Sequence, residues 1–155
     1  FYNHKHSMYF RDYAMQTNKP LYSFGFGLSY TKFDISKPKL NSSKFKKGIL
    51  SVSVNVKNIG EIYGDEIVQL YISDKYSSIT RAVKELKAYQ RVSLKPGESK
   101  EILFELNKSD FAYYDSEMNY IVEAGGFDIL VGNSSRDEDL KNTEFNVEKT
   151  FYIKD

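Results

Sequence analysis

The chain has 155 residues, enough for one domain that hides about 70% of the surface its unfolded form would expose. Its 22 basic and 21 acidic side chains nearly cancel, so it has no field to gather nucleic acid or an anionic membrane. It has no cysteine, hence neither a disulfide frame nor a thiolate metal site, and no apolar run approaches the roughly 20 residues a helix needs to cross a bilayer.

Residues 1–19 open on FYNHKHS, with no initiating Met, basic n-region or apolar h-region, and read as an arm belonging to a longer polypeptide. His4 and His6 would share a face if this arm were extended. Metal ligation needs a third and usually a fourth donor, yet the chain has no other histidine and only Asp12 nearby, so no metal is expected. The same shortage removes a hydrolytic triad, because Ser29, Ser134 and Ser135 stand in no nucleophile elbow.

PLYSFGFGLSYTKF follows, from Pro20 to Phe33. Gly25 and Gly27 could begin a dinucleotide fingerprint, but Tyr30 stands where the third glycine belongs and no helical period follows. The expectation is that the glycines relieve crowding where rings lie against a facing surface. That makes Tyr22, Phe24, Phe26 and Tyr30 candidate domain-docking residues, since they are more large apolar surface than an arm would normally expose.

A period of two then takes over. In ILSVSVNVKN, Leu50, Val52, Val54 and Val56 fall on one face and Ser51, Ser53, Asn55 and Lys57 on the other, which predicts a half-buried strand. EIVQLYIS, after the glycine turn of NIGEIYGD, puts Val68, Leu70 and Ile72 on a common side. KELKAYQRVSL reads as extended, Pro96-Gly97 has the order of a type II turn, and KEILFEL alternates through Ile102, Phe104 and Leu106. NYIVEAGGFDILVG lines up Phe127, Ile129 and Val131 after a Gly125-Gly126 break, and TEFNVEKTFYI alternates through Phe145 and Val147. About seven short strands with turn residues between them, and no long amphipathic helix, predict an all-β, two-sheet sandwich over residues 28–155, preceded by an irregular arm, residues 1–27.

Two acidic clusters, Asp65-Glu66 and Asp137 to Asp139, fall in predicted loops. Glycosidic cleavage needs two carboxylates at roughly 5–5.5 or 6.5–9.5 Å across a sugar cleft, a placement that spacing along the chain does not supply. Solvated turns account for both. Exposed aromatics beside polar loop groups could instead contact sugar, with Tyr113, Tyr114 and Asn133 as the candidates, although core filling and domain contacts also consume large rings. Asn41, Asn107 and Asn133 each begin an Asn-X-Ser triplet, which arises readily by chance in turns.

Several stretches taken together resemble one family. PLYSFGFGLSYTKF, VNVKNIGEIYGDEIVQLYIS, RAVKELKAYQRVSLKPGES and VEAGGFDILVGNSSRD occur in the order found in the C-terminal fibronectin type III-like domain of family 3 glycoside hydrolases, the β-glucosidase and β-xylosidase family. FYNHK resembles the segment just upstream in bacterial members, while Ser23 and Phe26 stand where many relatives have Pro and Tyr. The resemblance implies an immunoglobulin-like, fibronectin-like sandwich that carries no catalytic residue and no cofactor, with the nucleophile and acid/base on preceding barrel and α/β domains of a retaining hydrolase. It also implies the other domains of that hydrolase as partners and an exported, periplasmic or extracellular bacterial setting. The alternative reading is an independent carbohydrate-binding or adhesion module with an oligosaccharide ligand.

Overall fold

The computed structural model describes residues 20–45, 48–79 and 81–153. The arm residues His4, His6 and Asp12 lie outside them. The described residues form eleven strands: β1 (Phe33–Ile35), β2 (Lys39–Leu40), β3 (Ile49–Asn58), β4 (Gly64–Asp74), β5 (Glu85–Leu94), β6 (Ser99–Asn107), β7 (Tyr113–Tyr114), β8 (Tyr120–Val122), β9 (Gly125–Gly132), β10 (Leu140–Val147) and β11 (Phe151–Tyr152). The helical content of the described residues is two 3₁₀ turns, Lys108–Phe111 and Asp137–Asp139.

The strands build two four-stranded antiparallel sheets. In one, β3 is central, with β6 along one edge and β1 and β2 end to end along the other. The second runs β10-β9-β4-β5, and a small third sheet, β11-β8-β7, closes one end. Alternation dictates what faces inward. Leu50, Val52, Val54 and Val56 of β3 and Ile102, Phe104 and Leu106 of β6 meet Val68, Leu70 and Ile72 of β4 and Phe127, Ile129 and Val131 of β9. All of these are buried, each contributing about 1.5–3 kcal/mol by leaving water. The all-β sandwich is therefore as predicted.

Two predicted strands divide. NYIVEAGGFDILVG breaks at Glu123-Ala124 into β8 and β9, and TEFNVEKTFYI breaks at Glu148 to Thr150 into β10 and β11, with the Ala124 amide donating to Thr150 Oγ1 across the gap at 2.9 Å. At the β5–β6 turn, Gly97 has φ +76° and the Glu98 amide donates to Lys95 O at 3.0 Å, the type II geometry that Pro-Gly order implies. Among the described residues no helix is long and apolar enough to cross a membrane.

Candidate functional site

Residues 20–32 form no strand, yet they are held against the second sheet. Because Val68 and Leu70 point into the core, the neighbouring Ile67 and Gln69 of β4 point outward, opposite Arg91 and Tyr89 of β5. The aromatic segment covers part of this outer face. The Ser135 amide donates to Phe24 O at 2.9 Å, and Gln69 Nε2 donates to both Gly25 O (3.0 Å) and Asn133 O (2.8 Å). The Tyr71 hydroxyl donates to Gln69 Oε1, so this buried amide is engaged at both ends.

Gly25 explains one of the two glycines. It has φ +74°, and a Cβ there would stand 2.0 Å from Gln69 Oε1. The close approach is thus to the chain's own β4, not to a neighbouring surface as the sequence suggested, while a Cβ on Gly27 would meet nothing within 4 Å. Gly25→Ala is expected to cost about 2–3 kcal/mol in urea unfolding, combining left-handed strain with displacement of a fully bonded amide. A loss under about 0.5 kcal/mol would show that Gln69 moves aside freely.

A second buried amide, Asn58, makes four side-chain hydrogen bonds. Its Oδ1 accepts from Thr31 Oγ1 (2.9 Å) and the Gly60 amide (3.0 Å), and its Nδ2 donates to Ile62 O (2.8 Å) and Leu94 O (3.0 Å). The aromatic segment, the β3–β4 loop and the end of β5 are thereby pinned to one point. Sequence patterning missed Asn58 and Gln69: Asn58 ends β3 where the glycine turn of NIGEIYGD begins, and Gln69 stands on an outward phase, both places where polarity is ordinary.

With the backbone held this way, several apolar side chains remain outside. Phe26 is partly covered, stacked on Tyr22 at 5.6 Å and lying under the Arg136 guanidinium at 4.5 Å. Phe24 is half exposed, Tyr22 is exposed, and Tyr30 and Leu28 are 97% and 92% exposed. Ile59, Ile62 and Tyr63 of the β3–β4 loop, with Ile67 and Tyr89, are also exposed large apolar side chains, a grouping that no sequence pattern signals. Between the segment and β4–β5 runs an open groove of about 810 Å³, lined by Phe24, Leu28, Ile59, Ile67, Tyr89 and Arg91 among others.

The acidic pair Asp65-Glu66 lies in β4 and not in a loop, a correction to the sequence reading. Asp65 is ion-paired with Arg91. Glu66 accepts from the Ile67 amide (2.9 Å) and from Asn133 Nδ2 (3.2 Å), and burial raises its pKa above the ordinary carboxylate value against those two bonds. In the other cluster Asp139 binds Ser134 and Arg136, and Asp137 pairs with Lys84. Every one of these carboxylates therefore has structural partners. Among the described residues no three potential metal ligands come together.

The sugar-contact candidates do not converge. Tyr113 and Tyr114 form β7 and not a loop, and Tyr113 is only 8% exposed. Its hydroxyl donates to Glu123, holding that carboxyl below its usual pKa, and its ring lies 5.0 Å from the Arg81 guanidinium, which itself pairs with Asp74 and Glu85. Tyr113 thus offers no free ring face. Tyr114 is exposed and lies against Tyr120 with centroids 4.8 Å apart. Asn133 follows the far end of eight-residue β9, about 25 Å along the strand from the end that β8 and β7 adjoin.

A family model described as a fibronectin type III-like domain matches residues 66–135. A β-xylosidase from Formosa agariphila is 43% identical over 87% of this chain and 19% of its own length, and a thermostable β-glucosidase B from Acetivibrio thermocellus is 46% identical over 93% and 20%. The chain is a fibronectin type III-like domain of the family 3 glycoside hydrolases. Another relative, a periplasmic β-glucosidase from Salmonella typhimurium, is 37% identical over 84% of the domain and 17% of that protein. The solved structure of a β-glucosidase from Erythrobacter marinus superposes with a TM-score of 0.85 at 38% identity, covering 94% of the domain and 19% of that chain. The domain therefore spans about a fifth of the length of the relatives it matches.

Proposed function

We propose that this fibronectin type III-like domain is a non-catalytic accessory domain of a retaining, β-glucosidase-like hydrolase, docking on the enzyme's other domains through the aromatic segment and the β3–β4 loop. One observation carries the reading. Residues 20–32 expose Leu21, Tyr22, Leu28 and Tyr30 although Gln69 and Asn58 hold the segment in a single place. Exposed apolar area of this kind marks an interaction site, and a fixed backbone lowers the ordering cost of association. The relatives' greater length supplies the polypeptide to cover it. The division into an arm, 1–27, and a sandwich, 28–155, belongs to the same proposal, as does a periplasmic or extracellular setting, which the Salmonella typhimurium relative supports.

Tyr30→Ala tests the reading most cleanly, because its side chain is almost fully exposed in the domain. The isolated domain should stay within about 0.5 kcal/mol of wild type, whereas the full-length enzyme should lose about 1–3 kcal/mol of thermal stability before its chemistry changes. Phe26→Ala should act likewise, with an added cost of about 0.5–1 kcal/mol in the isolated domain from the lost Arg136 contact. Unchanged melting of both full-length variants would remove the docking role.

A further inference from the structure

Among the described residues, one carboxylate at this surface has no counter-charge. Glu66 is one of the residues bordering the groove and is half-buried, and its hydrogen bonds come from two neutral donors, Asn133 Nδ2 and the Ile67 amide. Among the described residues no basic side chain pairs with it. The other charges around the groove are accounted for, since Asp65 and Arg91 pair with each other and Lys32 is exposed to solvent. An ionised carboxylate taken partly out of water is costly unless a cation meets it, and it retains accepting sites beyond the two already used.

Resting on the docking reading above, we propose that Glu66 is the charge anchor of this surface and receives an arginine side chain from the polypeptide that covers the groove. Arginine fits better than lysine for two reasons. Its planar fork can use the accepting sites that the two carboxylate oxygens retain, and its guanidinium can lie on a ring face, of which Tyr89 is one exposed along the same groove. Arg136 already rests on Phe26 of the segment in this manner. In the uncovered domain Glu66 is a burden, and in the docked enzyme it becomes half of an ion pair. Its removal therefore costs stability in the docked enzyme and none in the uncovered domain.

Hydrogen exchange, followed by mass spectrometry on both the full-length enzyme and the 155-residue chain, tests this with Glu66→Gln and Glu66→Asp. In the full-length enzyme Glu66→Gln should speed exchange across residues 59–69 about tenfold or more, and Glu66→Asp, which keeps the charge, should stay within about threefold of wild type. In the 155-residue chain Glu66→Gln should leave melting unchanged or raise it, because a half-buried charge is gone. Circular dichroism of that chain establishes that each variant folds. Exchange in the full-length enzyme that ignores Glu66→Gln, or equal acceleration in both forms, overturns the anchor. If wild-type residues 59–69 and 22–30 are no better protected in the full-length enzyme than in the short chain, the docking reading fails together with it.

Discussion

Asn58→Ala is expected to cost about 3–5 kcal/mol in urea unfolding of the domain. The reason is the number of groups left behind. Deleting the amide strands the Ile62 and Leu94 carbonyls, the Gly60 amide and the Thr31 hydroxyl, and Asn58 itself is fully buried, so water does not readily replace it. The backbone of Asn58 still pairs, donating to Glu98 O and accepting from the Gly97 amide, each at 2.9 Å. The strand end should therefore survive while the β3–β4 loop and the aromatic segment loosen. Exchange of the Ile59 and Gly60 amides should accelerate well below the denaturation midpoint. Asn58→Asp should be at least as damaging, because it places an acceptor opposite two carbonyls. A cost below about 1 kcal/mol for the alanine variant would mean that the four bonds do not cooperate.

Phe111→Ala should cost a similar 3–5 kcal/mol by a different route. Phe111 ends a 3₁₀ turn whose start is closed by the Asn107 amide donating to Asp110 Oδ2 at 2.6 Å, and its fully buried ring sits among three others. Phe45, Phe127 and Phe145 have centroids 5.3, 5.2 and 5.5 Å away, so truncation opens a cavity that the rigid strands bearing Phe127 and Phe145 do not collapse to fill. Phe111→Leu, which returns most of the volume, should recover more than half of the loss. The distinction from Asn58→Ala lies in the surface. Phe111 belongs to the core cluster, whereas Gln69 and the aromatic segment meet on the outer side of the sheet, so the folded variant should keep the difference in stability between full-length enzyme and isolated domain, which Asn58→Ala should shrink. If Phe111→Ala abolished that difference while the domain remained folded, the docking surface would extend through the aromatic core.

Much of the architecture is legible in short runs of sequence. Leu50, Val52, Val54 and Val56 occupy one phase of ILSVSVNVKN and are all buried, since consecutive side chains of a strand must point to opposite faces whatever lies beyond them. Pro96-Gly97 announces its turn for an equally local reason, the need for positive φ at the second central position. The short strands β2 and β7 are not legible in the sequence, because two residues are too few for alternation to register. The four rings of the aromatic segment were also legible as an unusual apolar run, but what they rest on was not.

By itself, then, the sequence determined the sandwich, its inward faces, the Pro-Gly turn and, through four motifs in order, its family. Only the tertiary structure decided that Gln69 is buried, that Tyr113 lies beneath Arg81, that Asn58 gathers three segments and that Glu66 borders a groove where, among the described residues, no basic side chain pairs with it. The physical reason is range. Alternation records the side of its own sheet on which a side chain stands, an outcome of local backbone geometry, whereas burial on the outer side depends on what crosses over it. For Gln69 that is Gly25, 44 residues away, and for Asn58 it is Leu94, 36 residues away, contacts that the two-residue period of a strand does not encode.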